Sequence, residues 1–325
     1  MTTGNGAGVT VAGAGALGLC IALQLARAGR RVTVCDPAPV GDNASGVAAG
    51  MLAPVFETLL DPQGDDELTF LRMARDLWPA FAATPIDRFG AVYRGERADA
   101  VRAQLEALGV DWRDTADGPL TPEDWRLDAG ATMTRLYVLN EQAGVRFETR
   151  AATGDDAGLT VLATGAGGAG LAPELACLTP IKGHILRLAG GPSEGPVLRG
   201  DGVYLCPDPA GALLGATMET GVDDRRVDPG QVDGLRARGE RLYPGLGALR
   251  ARADVGVRAG TPDGLPMVGW SARPGTLLAV GARRNGWLLA PLVARTIAAY
   301  VAGDDPGPYA ARLDPRRFDN ESETP

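Results

Sequence analysis

Two hydrophobic rhythms divide the chain. Short unbroken apolar runs occur at Val9-Thr-Val-Ala12, Val32-Thr-Val-Cys35, Leu159-Thr-Val-Leu162 and Thr276-Leu-Leu-Ala-Val280. Runs of that length and composition predict strands buried on both faces, as in a parallel sheet. Helical spacing appears between Asp66 and Ala83, where Leu68, Leu71, Ala74, Leu77, Trp78 and Phe81 fall on one face. It returns over Arg97–Leu108, stopped by Gly109, in a polar helix over Val232–Tyr243, and over Trp287–Val301, where Pro291 is expected near the first turn, the place a helix tolerates it best. Between Ile181 and Met218 the pattern changes to short alternating strands parted by Gly, Pro and Asp, among them Ile185–Leu188, Val203–Cys206 and Ala212–Thr217. That is the signature of an antiparallel sheet. Gly144–Thr149 reads as an edge strand, 112–131 as loop with short strands, and the polar tail from Asp319 as frayed. The sum is an α/β chain with two kinds of sheet.

The first two strands enclose a more specific unit. Gly13-Ala-Gly15-Ala-Leu-Gly18 leads from strand to helix, and Asp36 ends the second strand. Gly13 permits the tight turn, Gly15 lets backbone approach a pyrophosphate, and Gly18 lets the helix pack on the strand. The helix start offers free N–H groups to the phosphates, and Asp36 is placed to accept from a ribose diol. A dinucleotide follows, although this unit alone suits NAD as well as any other. Ala44-Ser45-Gly-Val-Ala-Ala49-Gly50-Met51-Leu-Ala-Pro54 has little side-chain bulk, so its backbone can lie against a flat ring. Ala163-Thr164-Gly165 brings a further strand back to the nucleotide.

Composition narrows the partners. The chain has 325 residues, 45% hydrophobic and 22% charged, enough for two domains around large cores. Lys+Arg 32 against Asp+Glu 40 leaves a net charge of −8, with no basic run to favour nucleic acid or an anionic membrane. The four cysteines (Cys20, Cys35, Cys177, Cys206) are scattered and His184 is the one histidine, so neither a metal site nor a disulfide framework is expected. A Ser-His-Asp hydrolase lacks support for the same reason. No apolar run is long enough to span a bilayer, and the apolar start lacks the basic n-region of a signal peptide. A cytoplasmic location is the expectation.

Several ordered motifs together resemble the D-amino-acid oxidase family of flavoproteins, and glycine oxidases most. They are the nucleotide unit with Asp36, the Ala44–Pro54 segment, Ala163-Thr-Gly165, Ile181-Lys-Gly183, Val203-Tyr-Leu-Cys-Pro207, Gly215-Ala-Thr-Met218, Gly256-Val-Arg-Ala-Gly-Thr-Pro-Asp-Gly-Leu-Pro266 and Arg284-Asn-Gly-Trp-Leu-Leu-Ala-Pro291. The resemblance implies a discontinuous Rossmann-like FAD-binding domain (1–84, 143–182 and 252–325) and an α+β substrate domain on an antiparallel sheet (85–142 and 183–251). It implies oxidative deamination of glycine or another small carboxylate-bearing amine, with hydride passing to flavin N5, oxygen reoxidising the flavin to give peroxide, and a link to thiamine biosynthesis. FAD would be held without a covalent bond by Gly13, Gly15, Ala16, Leu17, Gly18, Asp36, Pro37, Ala44, Ser45, Ala49, Gly50, Met51, Ala151, Thr164, Gly165, Ala282, Arg283, Arg284, Asn285, Gly286, Trp287 and Leu288. The substrate would meet Arg258, whose planar guanidinium matches a carboxylate, with Tyr204, Arg284 and Met218 beside it. No side chain is expected to act as a general base, because the flavin does the chemistry. Lys182 reads as a solvated turn residue, with a place near the flavin as the alternative.

The chain departs from the family's pattern at Asp208, Ala282 and His184, and its central region is short. Those positions fall near the substrate mouth or the flavin, so substrate and electron acceptor stay open. The rival readings are a D-amino-acid dehydrogenase feeding a quinone, a flavin-binding paralogue without turnover, and a tRNA-modifying relative, against which the acidic balance counts. A homo-oligomer is compatible with all of them.

Overall fold

The computed structural model describes residues 8–62, 64–153, 156 and 158–318, so the tail from Asp319 lies outside them. Six strands form the first sheet, in the order Met267–Trp270, Thr276–Val280, Leu159–Leu162, Val9–Ala12, Val32–Cys35, Arg146–Glu148. All neighbours are parallel except the first pair. The central strands are buried, which explains why they read as continuous apolar runs. Arg146–Glu148 lies at the edge, as its polarity predicts.

Helix Ala16–Arg27 packs against helix Gly286–Ala302, so the sheet's cover comes from both ends of the sequence. Pro291 lies inside the second of these, one residue further in than expected and past the first turn. A proline there leaves the carbonyl four residues back without its helical donor. That carbonyl belongs to Trp287, and the indole Nε1 of Trp78 donates to it at 2.8 Å. A tertiary hydrogen bond thus replaces the lost one.

The second sheet has nine strands and is built mainly from antiparallel pairs. Its spine is a pair of eleven-residue strands, Thr179–Ala189 and Arg250–Gly260, matched along their whole length. This changes the reading of Lys182. Lys182 is expected as a solvated turn residue, but full-length pairing holds it within a strand, 4% exposed and bonded to Asp224 at 2.8 Å. The expected helix over 66–83 is two helices, Glu67–Asp76 and Trp78–Phe81. Helix Ala129–Gln142 has no counterpart in the hydrophobic pattern, because its buried face is built of Ala129, Thr132, Met133, Leu136 and Asn140. The Asn140 amide donates to the carbonyls of Leu19 and Leu136, which makes a polar residue part of the core.

Candidate active site

A cavity of about 780 Å³ opens at the carboxyl ends of the parallel strands, where an open α/β sheet places its ligands. Ala12, Cys35 and Val280 end three of those strands on its wall, and Ala163 begins the turn after a fourth. Gly13 has φ +112° and a Cβ on it would lie 2.3 Å from the Ala163 carbonyl oxygen; a Cβ on Gly18 would lie 1.9 Å from the Gly13 oxygen. Neither position can carry a side chain without moving backbone. Helix Ala16–Arg27 starts at Gly15, which has no side chain to cap it, and carries no acid in its first turn. Helix Gly286–Ala302 starts at Asn285 with neither a side-chain cap nor an acid there. Two helix starts therefore face one cavity, which suits it to an anionic ligand.

The small-residue segment ties these parts together. Asn43 Oδ1 caps the short helix Ala44–Val47 by accepting from Ser45 and Gly46, and its Nδ2 donates to the Ala14 carbonyl. Ser45 Oγ accepts from Ala16 N–H at 3.0 Å, and the Ser45 carbonyl accepts from Trp287 Nε1 at 3.0 Å. Asp36 accepts from Ala14 N–H (2.7 Å) and Ala38 N–H (2.8 Å), one on each oxygen, and faces the cavity.

At the other end of the cavity the wall is made of charged side chains. Arg258, on strand Arg250–Gly260, lies against Gly183, where a Cβ would sit 2.4 Å from its Nη1. Its one protein hydrogen bond among the described residues is a long one, 3.4 Å to the Thr217 carbonyl. Burial pulls its pKa down, and Arg284 and Arg283 add to the effect while Tyr204 and Glu57 oppose it. Burial likewise pushes the Tyr204 hydroxyl up to about 12. Arg284 binds Glu57 Oε2 through Nε at 2.8 Å and Asp61 through Nη2 at 3.4 Å, and Arg283 also binds Asp61. Glu57 is 6% exposed and is held from the far side by Arg199, Nη2 to Oε1 at 3.1 Å. Burial works against its charge, but Arg284 and Arg199 outweigh it and hold the carboxyl below the usual range. Asp124 anchors the helix carrying Glu57, Pro54–Leu60, by accepting from Val55 and Phe56 N–H; burial pushes its carboxyl up to about 7.

Of the expected site residues, Gly13, Gly15, Ala16, Leu17, Asp36, Pro37, Ala44, Ser45, Ala151, Thr164, Gly165, Arg258, Ala282, Arg283, Arg284, Gly286 and Trp287 line this cavity together. Gly18, Ala49, Gly50, Met51, Asn285, Leu288 and Tyr204 stand outside its lining, and Met218 is 41% exposed away from it. Loop 166–171, Asp223 and Arg225 line it although the sequence drew no attention to them.

A family described as FAD dependent oxidoreductase (DAO) matches residues 8–300. The chain belongs to this DAO family. A bifunctional protein for tRNA 5-methylaminomethyl-2-thiouridine biosynthesis, MnmC from Maricaulis maris, is 31% identical over 317 residues, 92% of this chain and 52% of its own length. A putative thiamine biosynthesis oxidoreductase, ThiO from Rhizobium etli, is 31% identical over 320 residues, 89% of this chain and 95% of its own length. The chain thus spans about half the length of the bifunctional relatives it matches (52% and 56%). The glycine oxidase of Geobacillus kaustophilus shares the fold, with a TM-score of 0.84 at 24% identity over 95% of this chain and 98% of that one. The DAO family is named for FAD, and the uncapped helix starts and side-chain-free glycine turn fit a dinucleotide's pyrophosphate. Among the described residues no group of His, Cys, Asp and Glu could hold a metal, no helix is long and apolar enough to cross a membrane, and no two cysteines form a disulfide.

Proposed function

We propose that the protein is a FAD-dependent oxidase of glycine or another small amine bearing a carboxylate. The observation that carries this reading is Arg258, a guanidinium on the cavity wall with no carboxylate partner among the described residues. A planar bidentate donor held out of bulk water is what a substrate carboxylate needs. FAD, held in the cavity without a covalent link, would supply the two-electron acceptor for hydride from the substrate α-carbon, with oxygen as the final oxidant and peroxide as its product. The chain's own residues bind and orient. Gly13, Gly15 and the first turn of helix Ala16–Arg27 take the pyrophosphate, and Asp36 takes the ribose. The start of helix Gly286–Ala302 lines the same cavity and would favour a ring edge on which negative charge gathers. Arg258 fixes the substrate carboxylate, Tyr204 acts on Arg258 from outside the cavity lining, and the amine is oxidised in its neutral form without a side-chain base. The name of the Rhizobium relative supports a product used in thiamine biosynthesis.

The test begins with the purified protein's visible spectrum. Anaerobic addition of glycine, sarcosine and a panel of D-amino acids should bleach a yellow chromophore, admission of air should produce peroxide, and acid precipitation should release the flavin. A colourless protein that takes up no FAD overturns the proposal, and bleaching without peroxide points to a dehydrogenase. Arg258→Lys should lose about 1.5–3 kcal/mol of substrate binding, roughly tenfold to a hundredfold in KM, with FAD retained.

A further inference from the structure

Four guanidinium groups line the cavity, those of Arg225, Arg258, Arg283 and Arg284. Arg225 is paired with Asp42, Arg283 with Asp61, and Arg284 with Glu57 and Asp61, which leaves Arg258 without an anionic partner among the described residues. None of these three carboxylates lines the cavity, and Glu57 stands apart from Asp42 and Asp61 by its burial: it is almost fully buried, and it binds Arg284 from behind the wall while Arg199 holds its other oxygen. Arg199 is fixed in turn, 5% exposed, over the Phe56 ring and opposite Tyr204 in the strand pairing.

We infer that Glu57 is a specificity-determining residue: by neutralising Arg284 from within, it limits the site to one substrate carboxylate. This rests on the oxidase reading above. A substrate with a second carboxylate would have to desolvate it against a guanidinium already occupied, which is costly unless that partner is released. Asp223, exposed on the same wall, adds a negative charge that opposes a second anion further. Arg258 and Arg284 line the same cavity, and Arg284 is close enough to disfavour the charge on Arg258, so the two would form a two-pronged anion site if Glu57 were uncharged.

The test uses ligands that cannot be oxidised. The holoenzyme is titrated with acetate and with malonate while the flavin absorbance band is followed, so binding is read without turnover. The wild-type protein should bind malonate no more tightly than acetate. Glu57→Gln should raise the preference for malonate over acetate at least tenfold. Asp61→Asn, which frees the same arginine from the exposed side, should move it in the same direction by less, and it decides the matter if Glu57→Gln does not fold. Arg199→Met removes a positive charge from behind Glu57 while leaving its carboxylate on Arg284, and should weaken both ligands without raising the preference for malonate. The inference is overturned if the wild type already prefers malonate, if the folded Glu57→Gln holoenzyme keeps the wild-type ratio, or if Arg199→Met raises it. Failure of the oxidase reading looks different: no flavin is bound, or no amine bleaches it. A holoenzyme that ignores both ligands removes the role of Arg258 and this inference with it.

Discussion

The two ends of the cavity are built from different materials. The end at Gly13–Gly18 and Gly286 is made of backbone: helix starts without caps, and glycines that leave no room for a side chain. The end at Arg258, Arg284 and Glu57 is made of charged side chains that hold each other in place. Backbone dipoles keep their charge at any pH and cannot be removed by one substitution, whereas a guanidinium–carboxylate network changes with a single atom. The first end suits an invariant cofactor and the second a substrate that differs among relatives.

The largest expected effect comes from disturbing the backbone end. Gly18→Ala forces a Cβ into the Gly13 carbonyl and should cost about 3 kcal/mol in stability, with loss of FAD retention. The ratio of visible to ultraviolet absorbance and a thermal melt would measure both. Full FAD retention in this variant would remove the distinction between the two ends.

The charged end should show itself through pH. Burial raises Asp124 to about 7, whereas an unfolded aspartate titrates near about 3.9. The folded state therefore keeps an extra proton between those values, and stability falls as pH rises through that window, by up to about 1.4 kcal/mol per pH unit. Asp124→Asn should flatten that slope in urea titrations. Glu57 works in the opposite sense: its depressed pKa adds stability above the usual carboxylate range, which is lost as pH falls below about 4. Cofactor affinity across the upper window should stay level, because nothing that titrates there holds the pyrophosphate.

The smallest effect is expected where the halves are strapped together. Arg225 reaches from the loop before helix Pro229–Leu242 to Asp42, beside the small-residue segment, and both side chains are about half exposed. Arg225→Ala should change the melting free energy by less than about 1 kcal/mol. Faster FAD release in a chase experiment would show that the strap slows cofactor exit.

Legibility in the sequence followed the same division. The glycine turn, the Ala44–Pro54 segment and the Arg284–Trp287 helix start were readable because each is a contiguous pattern whose spacing has a steric meaning. Glu57 and Arg199 were not, since 142 positions separate them and neither stands in a recognisable run. Lys182 was misread as a solvated turn residue because its burial depends on a partner strand, Arg250–Gly260, that lies far away in the sequence. Helix Ala129–Gln142 was missed in the periodicity because Ala129, Thr132 and Asn140 take up most of its buried face and leave only Met133 and Leu136 as large apolar signals.

Trp287 has a consequence of a different kind. Its indole is 4% exposed, is pinned to the Ser45 carbonyl and forms part of the cavity wall. A flavin ring seated there would absorb its emission by energy transfer, whereas Trp270, partly exposed at the far edge of the parallel sheet, would be less affected. The protein thus carries an internal optical gauge of cofactor arrival, legible in its own fluorescence before any substrate is added.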